Sequence, residues 1–344
     1  MDPAEATALV KQLAREVGFA RVGIAAIDSL PADVVEGLRS WIRAGRHADM
    51  DYLPRHLEVR TDPSRLLEGA RNVICLATSY AHERPEHSSL ARVARYAHGR
   101  DYHKVLKKRC HALMDRLGEE FPSFQGRALV DSAPIMERTF GVLAGLGWIG
   151  SNGCLHVPGL GSWVLLAEVV TNLSLEPDEP IETLCDRCGA CLRACPSGAL
   201  QPDGTVEAAL CISYLNKDAE EVPEEQWEAM GLWILGCDAC QEACSRNADP
   251  PIGDDTLVGA RRGLGALTIR QVLSWSREDF ERITAGTPVR RAGYERVLRN
   301  AVIAAGNSGQ ASLGDAVRAV GRREVGLRRQ VEWALRRLGV DDAV

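Results

Sequence analysis

The stretch CDRCGACLRACPSGAL, residues 185–200, places four cysteines within eleven residues and a proline directly after the last of them. Its spacing, Cys-x2-Cys-x2-Cys-x3-Cys-Pro, is typical of proteins that hold two iron–sulfur clusters. In that pattern the first three cysteines bind one cluster, and the fourth binds the other. A structural zinc site instead brings two separated cysteine pairs to one tetrahedral ion. The spacing therefore favours two clusters, with a zinc site as the alternative.

Four more cysteines downstream complete two sets of four ligands. They are Cys211, Cys237, Cys240 and Cys244. The interleaved pattern assigns Cys185, Cys188, Cys191 and Cys244 to the first [4Fe–4S] cluster, and Cys195, Cys211, Cys237 and Cys240 to the second. The downstream group departs from the usual pattern, since Cys211 stands alone and Ser245 follows Cys244 where a proline is common. The other cysteines, Cys75, Cys110 and Cys154, are isolated, and we expect them to be buried structural thiols.

The composition is that of a soluble globular protein. The chain has 344 residues, 45% of them hydrophobic, and a net charge of −6. No apolar run approaches the roughly 18 residues of a membrane span. The N-terminus lacks the layout of a secretory signal and has no twin arginine, so we expect a cytoplasmic protein without membrane contact. Eleven cysteines in a reducing compartment indicate metal or redox chemistry.

The hydrophobic pattern divides the chain into three regions. Residues 4–17 predict a helix that ends at Gly18, and residues 20–27, 72–80, 126–133 and 161–173 predict strands. These elements make an α+β domain over residues 1–178, followed by the cysteine-rich region 179–250 and a helical tail, 251–344. Within the tail, residues 299–309 and 328–339 resemble each other as HEAT-like repeats do, although a plain helical hairpin is an alternative.

Two basic tracts stand out in this acidic chain. The segment from Arg92 to Arg109 contains seven Lys or Arg residues and one acidic residue. The segment from Arg290 to Arg337 contains eleven arginines and four acidic residues. Such tracts indicate a polyanionic partner, or else the solvated faces of helices. The candidate contacts are Arg95, Arg100, Lys104, Lys107, Lys108, Arg322, Arg323, Arg328 and Arg329.

Two short motifs match known ligand-binding patterns only in part. GLGWIG, residues 145–150, fits a dinucleotide-binding pattern, but it follows a helical stretch where that motif needs a strand. We expect a close-packed turn there. Asp101-Tyr102-His103 begins like the sequence by which some corrinoid enzymes bind cobalt through histidine. Leu106 occupies the glycine position of that motif, so the sequence does not support a cobalt–histidine bond.

Three longer blocks, residues 60–80, 94–109 and 130–173, resemble successive segments of the epoxyqueuosine reductases, and both cysteine groups and the helical tail continue the resemblance in order. The resemblance implies a cobalamin-binding α/β-sandwich-like domain, a two-cluster ferredoxin-like module and a HEAT-like segment that helps to hold tRNA. The implied reaction reduces the epoxide on a modified wobble base of certain tRNAs to an alkene, with loss of water.

The resemblance also implies roles for individual residues. Asp131 matches the catalytic proton donor and lies at the cofactor, and the positions near the corrinoid match Arg60, Leu155, Leu166, Ser213, Cys237 and Asp238. Ser151 stands where a lysine is common. The implied partners are the tRNA anticodon arm and an external low-potential electron donor, and we expect a monomer.

The chemistry of Asp131 leaves one choice open. A carboxyl beside an apolar corrin would have a raised pKa and could act as an acid near neutral pH. The alternative is that Asp131 caps the turn that follows it.

Two other functions are alternatives at this stage. A reductive dehalogenase-like enzyme also combines cobalamin with two clusters, although such enzymes usually carry a twin-arginine signal. A ferredoxin-type electron carrier would need the clusters alone, which leaves the first 178 residues without a role.

Overall fold

The structure is a computed structural model that describes residues 1–83, 90–258 and 261–340. The strands are β1 (Arg21–Ala26), β2 (Asn72–Ser79), β3 (Arg92–Val93), β4 (Gly126–Leu129), β5 (Trp148–Ile149), β6 (Leu155–His156), β7 (Val164–Thr171) and β8 (Trp233–Leu235). No helix in these residues is long and apolar enough to cross a membrane.

Helices connect the strands and form the end of the chain. The α-helices of the first half are α1 (Pro3–Glu16), α2 (Ala32–Arg43), α3 (Tyr52–Arg55), α4 (Leu57–Thr61), α5 (Tyr102–Glu120) and α6 (Glu137–Leu143). Those of the cysteine-rich region are α7 (Ala190–Ala194), α8 (Ile212–Lys217), α9 (Glu224–Trp227) and α10 (Ala239–Glu242). The remaining ones are α11 (Asp255–Val258), α12 (Ile269–Ser274), α13 (Arg277–Thr284), α14 (Tyr294–Ser308), α15 (Gly314–Arg323) and α16 (Arg328–Leu338).

Short 3-10 helices lie between these elements. They span Pro63–Leu66, Arg95–Ala97, Ala208–Leu210, Ser245–Asn247, Arg261–Ala266, Pro288–Ala292, Ala311–Leu313 and Val325–Leu327.

The central sheet has four antiparallel strands in the order β1-β2-β7-β4. Its residues alternate between two apolar layers, as the period of two in a strand requires. Ile24, Ile74 and Val169 pack with α1 and α5 on one face. Ala25 and Val73 pack with α6 on the other. The sheet is therefore covered on both sides, which explains why β2 is buried along its whole length.

The helix expected over residues 4–17 and the four expected strands are all present, with shifted ends. The third strand was expected to end near Asp131, and it stops two residues earlier, at Leu129. The chain then turns sharply, because Ser132 N donates to Val130 O at 2.6 Å. GLGWIG forms the turn between α6 and β5, where a Cβ at Gly147 would lie 1.8 Å from His156 O.

The cysteine-rich region is joined to its neighbours by polar contacts and one short sheet. β3 pairs in parallel with β8. After β8, Gly236 exchanges two hydrogen bonds of 2.8 Å with the Asn216 side chain, which fixes the chain directly before Cys237.

The tail packs around α14, which is buried along most of its length. α14 contacts α12 and α16, and α15 packs on α16. Buried Arg299 in α14 donates to the carbonyls of Leu215, Ala219 and Glu220 at the end of α8. The tail therefore supports the element that follows Cys211.

Candidate functional site

Asp131 lies two residues beyond β4 in an unusual backbone conformation. Its φ is 52°, in the left-handed region, which Asp tolerates better than most residues because of its short polar side chain. The Asp131 N–H donates to Glu137 Oε1 at 2.7 Å. Glu137 begins α6, so the helix fixes the turn that presents Asp131.

The Asp131 carboxylate accepts two hydrogen bonds from the start of α5. The Tyr102 hydroxyl and His103 Nε2 each lie 2.7 Å from Asp131 Oδ2. His103 Nδ1 lies 2.8 Å from Asp101 Oδ1, and Asp101 in turn accepts from Arg291 Nη2 at 3.1 Å. The side chain of Asp131 is thus held by α5 and does not cap its own turn.

These contacts shift the pKa of Asp131 downward. Burial alone would raise the pKa, but hydrogen bonds from His103 and Tyr102 outweigh burial and lower the pKa of Asp131 to about 2. Burial likewise works against a charged His103, yet Asp101 and Asp131 raise the pKa of His103 overall. These contacts favour an ionised Asp131 carboxylate. The raised pKa expected beside a corrin stays a prediction for the protein with its cofactor bound.

Glu137 behaves in the opposite way. Burial, followed by the charge of Asp131, raises the pKa of Glu137 to about 7. A carboxyl with this pKa exchanges its proton near neutral pH, directly behind the Asp131 backbone.

Two cavities meet at Asp131 and Tyr102. One, of about 210 Å³, is lined by Asp131, Leu155, Leu166 and Cys154. The other, of about 720 Å³, is lined by Arg60, His103, Lys217 and Arg291 as well as by Asp131. Three of the expected corrinoid contacts thus border the smaller cavity, and Arg60 borders the larger one.

Other expected contacts lie on the cysteine-rich region. Ser213 is in the first turn of α8, directly after Cys211. Asp238 is buried, and its Oδ2 accepts from Arg95 N at 2.9 Å. Neither Ser213 nor the Cys237–Asp238 turn borders these two cavities.

Arg60 carries a polar atom without a partner. Its Nη1 donates to Ile135 O at 3.1 Å, whereas its buried Nε has no hydrogen-bond acceptor among the residues described. A buried donor of this kind beside a cavity is suited to a polar group of a ligand.

The four thiols assigned to the first cluster border one cavity. Cys185, Cys188, Cys191 and Cys244 line it together, and so do Ser151 and His156. Ser151 Oγ lies 3.4 Å from Cys185 Sγ. Gly189, with φ of 74°, turns the chain into α7 between the second and third of these cysteines.

The thiols assigned to the second cluster are also neighbours. Burial, and then the nearby Cys211 and Cys195 thiols, raise the pKa of Cys237 to about 12. The Cys154 thiol and burial raise the pKa of Cys240, and nearby Cys237 and Cys211 raise it further. The thiols of each proposed set are thus near one another, and their assignment to the two clusters stays a prediction.

No three His, Cys, Asp or Glu side chains in the described ranges are arranged around a single metal ion. In a four-iron cluster each thiolate binds a different iron atom, so the sulfurs lie farther apart than around one ion.

Cys154 corrects one expectation. It is half-buried, unlike the buried Cys75 and Cys110, and it borders the smaller cavity at Asp131. Its thiol lies close enough to that of Cys240 for Cys240 to lower the pKa of Cys154 and for Cys154 to raise the pKa of Cys240. Cys154 was therefore wrongly expected to be an isolated structural thiol, because its partner is 86 residues away in the chain.

The first basic tract is only partly available to a partner. Arg95 lies over the Trp163 ring and pairs with Glu242 at 2.8 Å, so its proposed contact with a polyanion was wrong. Arg100, Lys104, Lys107 and Lys108 are exposed. Three of them, Arg100, Lys104 and Lys108, line a cavity of about 710 Å³, and we call these four residues the α5 basic surface.

The second tract is divided in the same way. Arg323 donates to the carbonyls of Leu273 and Trp275, and Arg329 lies 3.4 Å from Glu224. Arg322 and Arg328 are exposed.

The sequence did not single out Tyr102, His103 and Glu137 as site residues. Tyr102 and His103 belonged to a motif considered only as a cobalt ligand. Glu137 follows Asp131 by six residues, but only the turn shows that its side chain returns to the Asp131 backbone.

Family models match both functional regions. The model described as "Epoxyqueuosine reductase QueG, DUF1730" matches residues 60–132. The model described as "4Fe-4S double cluster binding domain" matches residues 184–247.

Curated relatives match most of the chain. The epoxyqueuosine reductase of Xanthomonas campestris is 38% identical over 315 residues, which cover 89% of this chain and 88% of that one. The epoxyqueuosine reductase of Escherichia coli is 37% identical over 306 residues, which cover 87% of this chain and 80% of that one.

A solved structure shares the fold. The crystal structure of an epoxyqueuosine reductase with a tRNA-Tyr epoxyqueuosine-modified stem loop superposes with a TM-score of 0.87 at 25% identity. The match covers 97% of this chain and 90% of that one. The sequence identities over most of the length, both family models and the shared fold agree, and this chain belongs to the epoxyqueuosine reductase family of oxidoreductases.

Proposed function

We propose that this chain reduces the epoxide of epoxyqueuosine in a tRNA anticodon to the alkene of queuosine, using cobalamin and two [4Fe–4S] clusters. One observation carries the proposal. The cavity that contains Asp131 is also bordered by Cys154, whose thiol lies close enough to Cys240 of the second cluster set to be shifted in pKa by it. The proposed acid therefore shares a cavity with the direct neighbour of a proposed ligand of the second cluster.

The residues around Asp131 fit a corrinoid. Leu155 and Leu166 supply an apolar wall, as a large macrocycle needs. Arg60 supplies a buried donor without a partner, suited to a polar group on the rim of the ligand. Ser213 and the Cys237–Asp238 turn would approach from the side of the second cluster.

The clusters would be held by the two sets of cysteines. Cys185, Cys188, Cys191 and Cys244 would bind the first, and Cys195, Cys211, Cys237 and Cys240 the second. The raised pKa values of Cys237 and Cys244 mean that cluster binding must displace thiol protons. Such clusters can deliver single electrons at low potential.

The reaction consumes two electrons and two protons and releases the epoxide oxygen as water. Bound cobalamin supplies a strongly reducing centre for the cleavage of the carbon–oxygen bond. The chain supplies the rest: it positions the base, excludes water and delivers the proton to the leaving oxygen. Asp131 is the side chain placed to deliver it, because its carboxylate borders both cavities.

The larger cavity suits a nucleotide. Arg60, Lys217 and Arg291 line it, so a base could enter while its phosphates contact cations. Enzymes that act on a base commonly extrude it from its stack into such a pocket. The α5 basic surface, together with Arg322 and Arg328, would hold the backbone of the anticodon stem.

A gene deletion tests the proposal in the cell. Nucleosides are analysed from the tRNA of a strain that lacks this gene and carries no second epoxyqueuosine reductase gene. Accumulated epoxyqueuosine that disappears on complementation supports the proposal. Normal queuosine in the deletion strain would contradict it.

A further inference from the structure

His103 lies between two carboxylates. Its Nδ1 is 2.8 Å from Asp101 Oδ1, and its Nε2 is 2.7 Å from Asp131 Oδ2. Both oxygens are hydrogen-bond acceptors when the carboxylates are ionised. Asp101 is buried, and its other oxygen accepts from Arg291.

This geometry fixes the number of protons. A neutral imidazole has one N–H and would turn the lone pair of its other nitrogen toward a carboxylate oxygen. Both contacts are hydrogen bonds only if the group of three side chains holds one additional proton. Tyr102 donates to the same Asp131 oxygen, and the pKa values of Asp101 and Asp131 are lowered while that of His103 is raised, which places the additional proton on His103 in the resting site.

We propose that His103 stores the proton that Asp131 passes to the leaving oxygen, and that Asp101 orients and charges His103 for this task. The inference rests on the proposed function only for the final proton acceptor, the leaving oxygen. The presence of the proton on His103 does not depend on that function. It gives the Asp101-Tyr102-His103 segment a role other than binding cobalt. Asp131 is the catalytic residue, and His103 and Asp101 act through it.

The proton transfer balances. The N–H bond at His103 Nε2 breaks as an O–H bond forms on Asp131. That O–H bond then breaks as one forms on the oxygen released from carbon, and the site is left with neutral His103 and ionised Asp131. The two electrons come from the reduced cofactors, and the second proton that makes water comes from solvent.

Other charged and titratable groups face the pair from neighbouring elements. They are Tyr52, His56, Arg60, Arg65, Tyr96, Arg127, Glu137, Lys217, Asp218 and Arg291. Arg291 opposes a charge on His103, and Lys217 helps to keep Asp131 ionised. The two carboxylates that flank the ring outweigh Arg291, as the raised pKa of His103 indicates.

Histidine NMR tests the stored proton without substrate. The holoprotein is labelled with ¹³C-histidine and titrated, and the His103 signal is assigned by its loss in His103→Gln. The pKa of His103 should lie above the ordinary value of 6.5 and should fall in Asp101→Asn, which keeps an acceptor but removes the charge. A His103 pKa at or below 6.5 would overturn the proposal.

A single turnover on an epoxyqueuosine-modified stem loop, measured as a function of pH, tests whether the reaction uses the proton stored on His103. In the wild type the rate should fall as the pH rises through the His103 pKa. His103→Gln can still donate a hydrogen bond to Asp131 but carries no such proton, so the midpoint should move at least about one unit lower. Tyr102→Phe is the matched control: it removes the other donor to Asp131 Oδ2, and its midpoint should not fall.

An unchanged midpoint in His103→Gln, with only a lower rate, would show that His103 merely holds Asp131 in place, and it would overturn the proposal. If His103→Gln does not fold, Asp101→Asn takes its place in the test. The midpoint of its pH–rate profile should then move lower as well, by a smaller amount, and an unchanged midpoint would overturn the proposal. If the wild type fails to convert the stem loop while the NMR titration gives a raised pKa, the proposed function fails and the stored proton stands.

Discussion

At the scale of the residue, Asp131 combines a constrained backbone with a charged side chain. Its left-handed φ of 52° suits Asp or Asn, whereas alanine there adds about 1 kcal/mol of strain. Asp131→Asn should therefore fold and bind cobalamin, as followed by the absorbance of the corrin. It should lose about 10²- to 10⁴-fold in single-turnover rate. Full activity in Asp131→Asn would exclude Asp131 as the proton donor.

Glu137 offers a pH-dependent test of the same turn. Its pKa is raised from 4.5 to about 7, by burial first and Asp131 second, so the folded state disfavours the ionised form. This cost is absent below pH 4.5, grows between the two values and is complete above about pH 7. Glu137→Gln keeps an acceptor for the Asp131 N–H and should gain about 1–3 kcal/mol of stability at high pH.

The measurement for Glu137→Gln is the difference in thermal midpoint between variant and wild type at pH 5 and at pH 8. The variant should gain more at pH 8. An equal difference at both pH values would show that Glu137 titrates normally.

At this scale the cysteine spacing predicted the two ligand sets and the resemblance singled out Asp131, and both stay predictions. The sequence did not reveal that Tyr102 and His103 donate to Asp131, since they are 29 and 28 residues away and reach it only through the fold. Arg95 was misjudged for the same reason, because its partner Glu242 is 147 residues distant.

At the scale of the element, α14 supports the cysteine-rich region through Arg299. Burial, and then nearby Arg296, lower the pKa of Arg299 to about 10. The guanidinium satisfies three carbonyls at the end of α8, the helix that begins directly after Cys211. Arg299→Met removes the side-chain donor to the Leu215 and Glu220 carbonyls and one of two donors to Ala219, so it should lower stability by about 3 kcal/mol and weaken retention of the second cluster.

A neighbour on the same helix is the control for Arg299. Half-buried Arg296 donates at 3.2 Å to Ala219 O and at 3.3 Å to Ala292 O. Arg296→Met should cost less than about 1 kcal/mol in the same denaturation series. Equal losses from the two variants would show that the carbonyls of α8 do not depend on Arg299 in particular.

The long elements were predictable and their ends were not. Strands β1, β2 and β7 and helix α1 carry clear apolar periods, whereas β4 ends early because the turn at Val130 and Asp131 is set by Glu137. The likeness between residues 299–309 and 328–339 falls on α14 and α16, which pack on each other. A HEAT-like repeat stays a prediction, as do the domain limits 1–178, 179–250 and 251–344.

At the scale of the whole molecule, the basic surfaces explain how an acidic protein could hold tRNA. The net charge is −6, yet Lys104 and Lys108 line a cavity with Arg100, and these cations lack ion-pair partners among the described residues. Lys104→Glu should weaken binding of an anticodon stem loop and lower the slope of log K against log salt by about 0.8 for one lost phosphate contact.

Arg39→Glu makes the same charge change on an exposed position of α2 and is the control for Lys104→Glu. Its salt slope should equal that of the wild type in the same fluorescence titrations. If Lys104→Glu binds as tightly as the wild type, the α5 basic surface does not belong to the tRNA footprint.

The hydrophobic pattern alone predicted an α+β domain, a cysteine-rich region and a helical tail, whereas the resemblance implied what each part binds. The cysteine spacing predicted two clusters, but nothing local indicated that Cys154 would lie beside Cys240 or that Asp131 would share its cavity with Cys154. Both features bring together regions that are far apart in the chain. They link the proposed acid to the proposed second cluster.

The most direct measurement is a single turnover by the purified protein, loaded with both clusters and cobalamin and reduced under anaerobic conditions. The substrate is an anticodon stem loop that contains epoxyqueuosine. Its nucleosides are separated after the reaction, and their masses are measured by mass spectrometry. The wild type should convert epoxyqueuosine to queuosine with the loss of one oxygen atom, and Asp131→Asn should leave it almost unchanged. A fully loaded wild type that converts nothing, or an Asp131→Asn variant that converts as fast, would contradict the account.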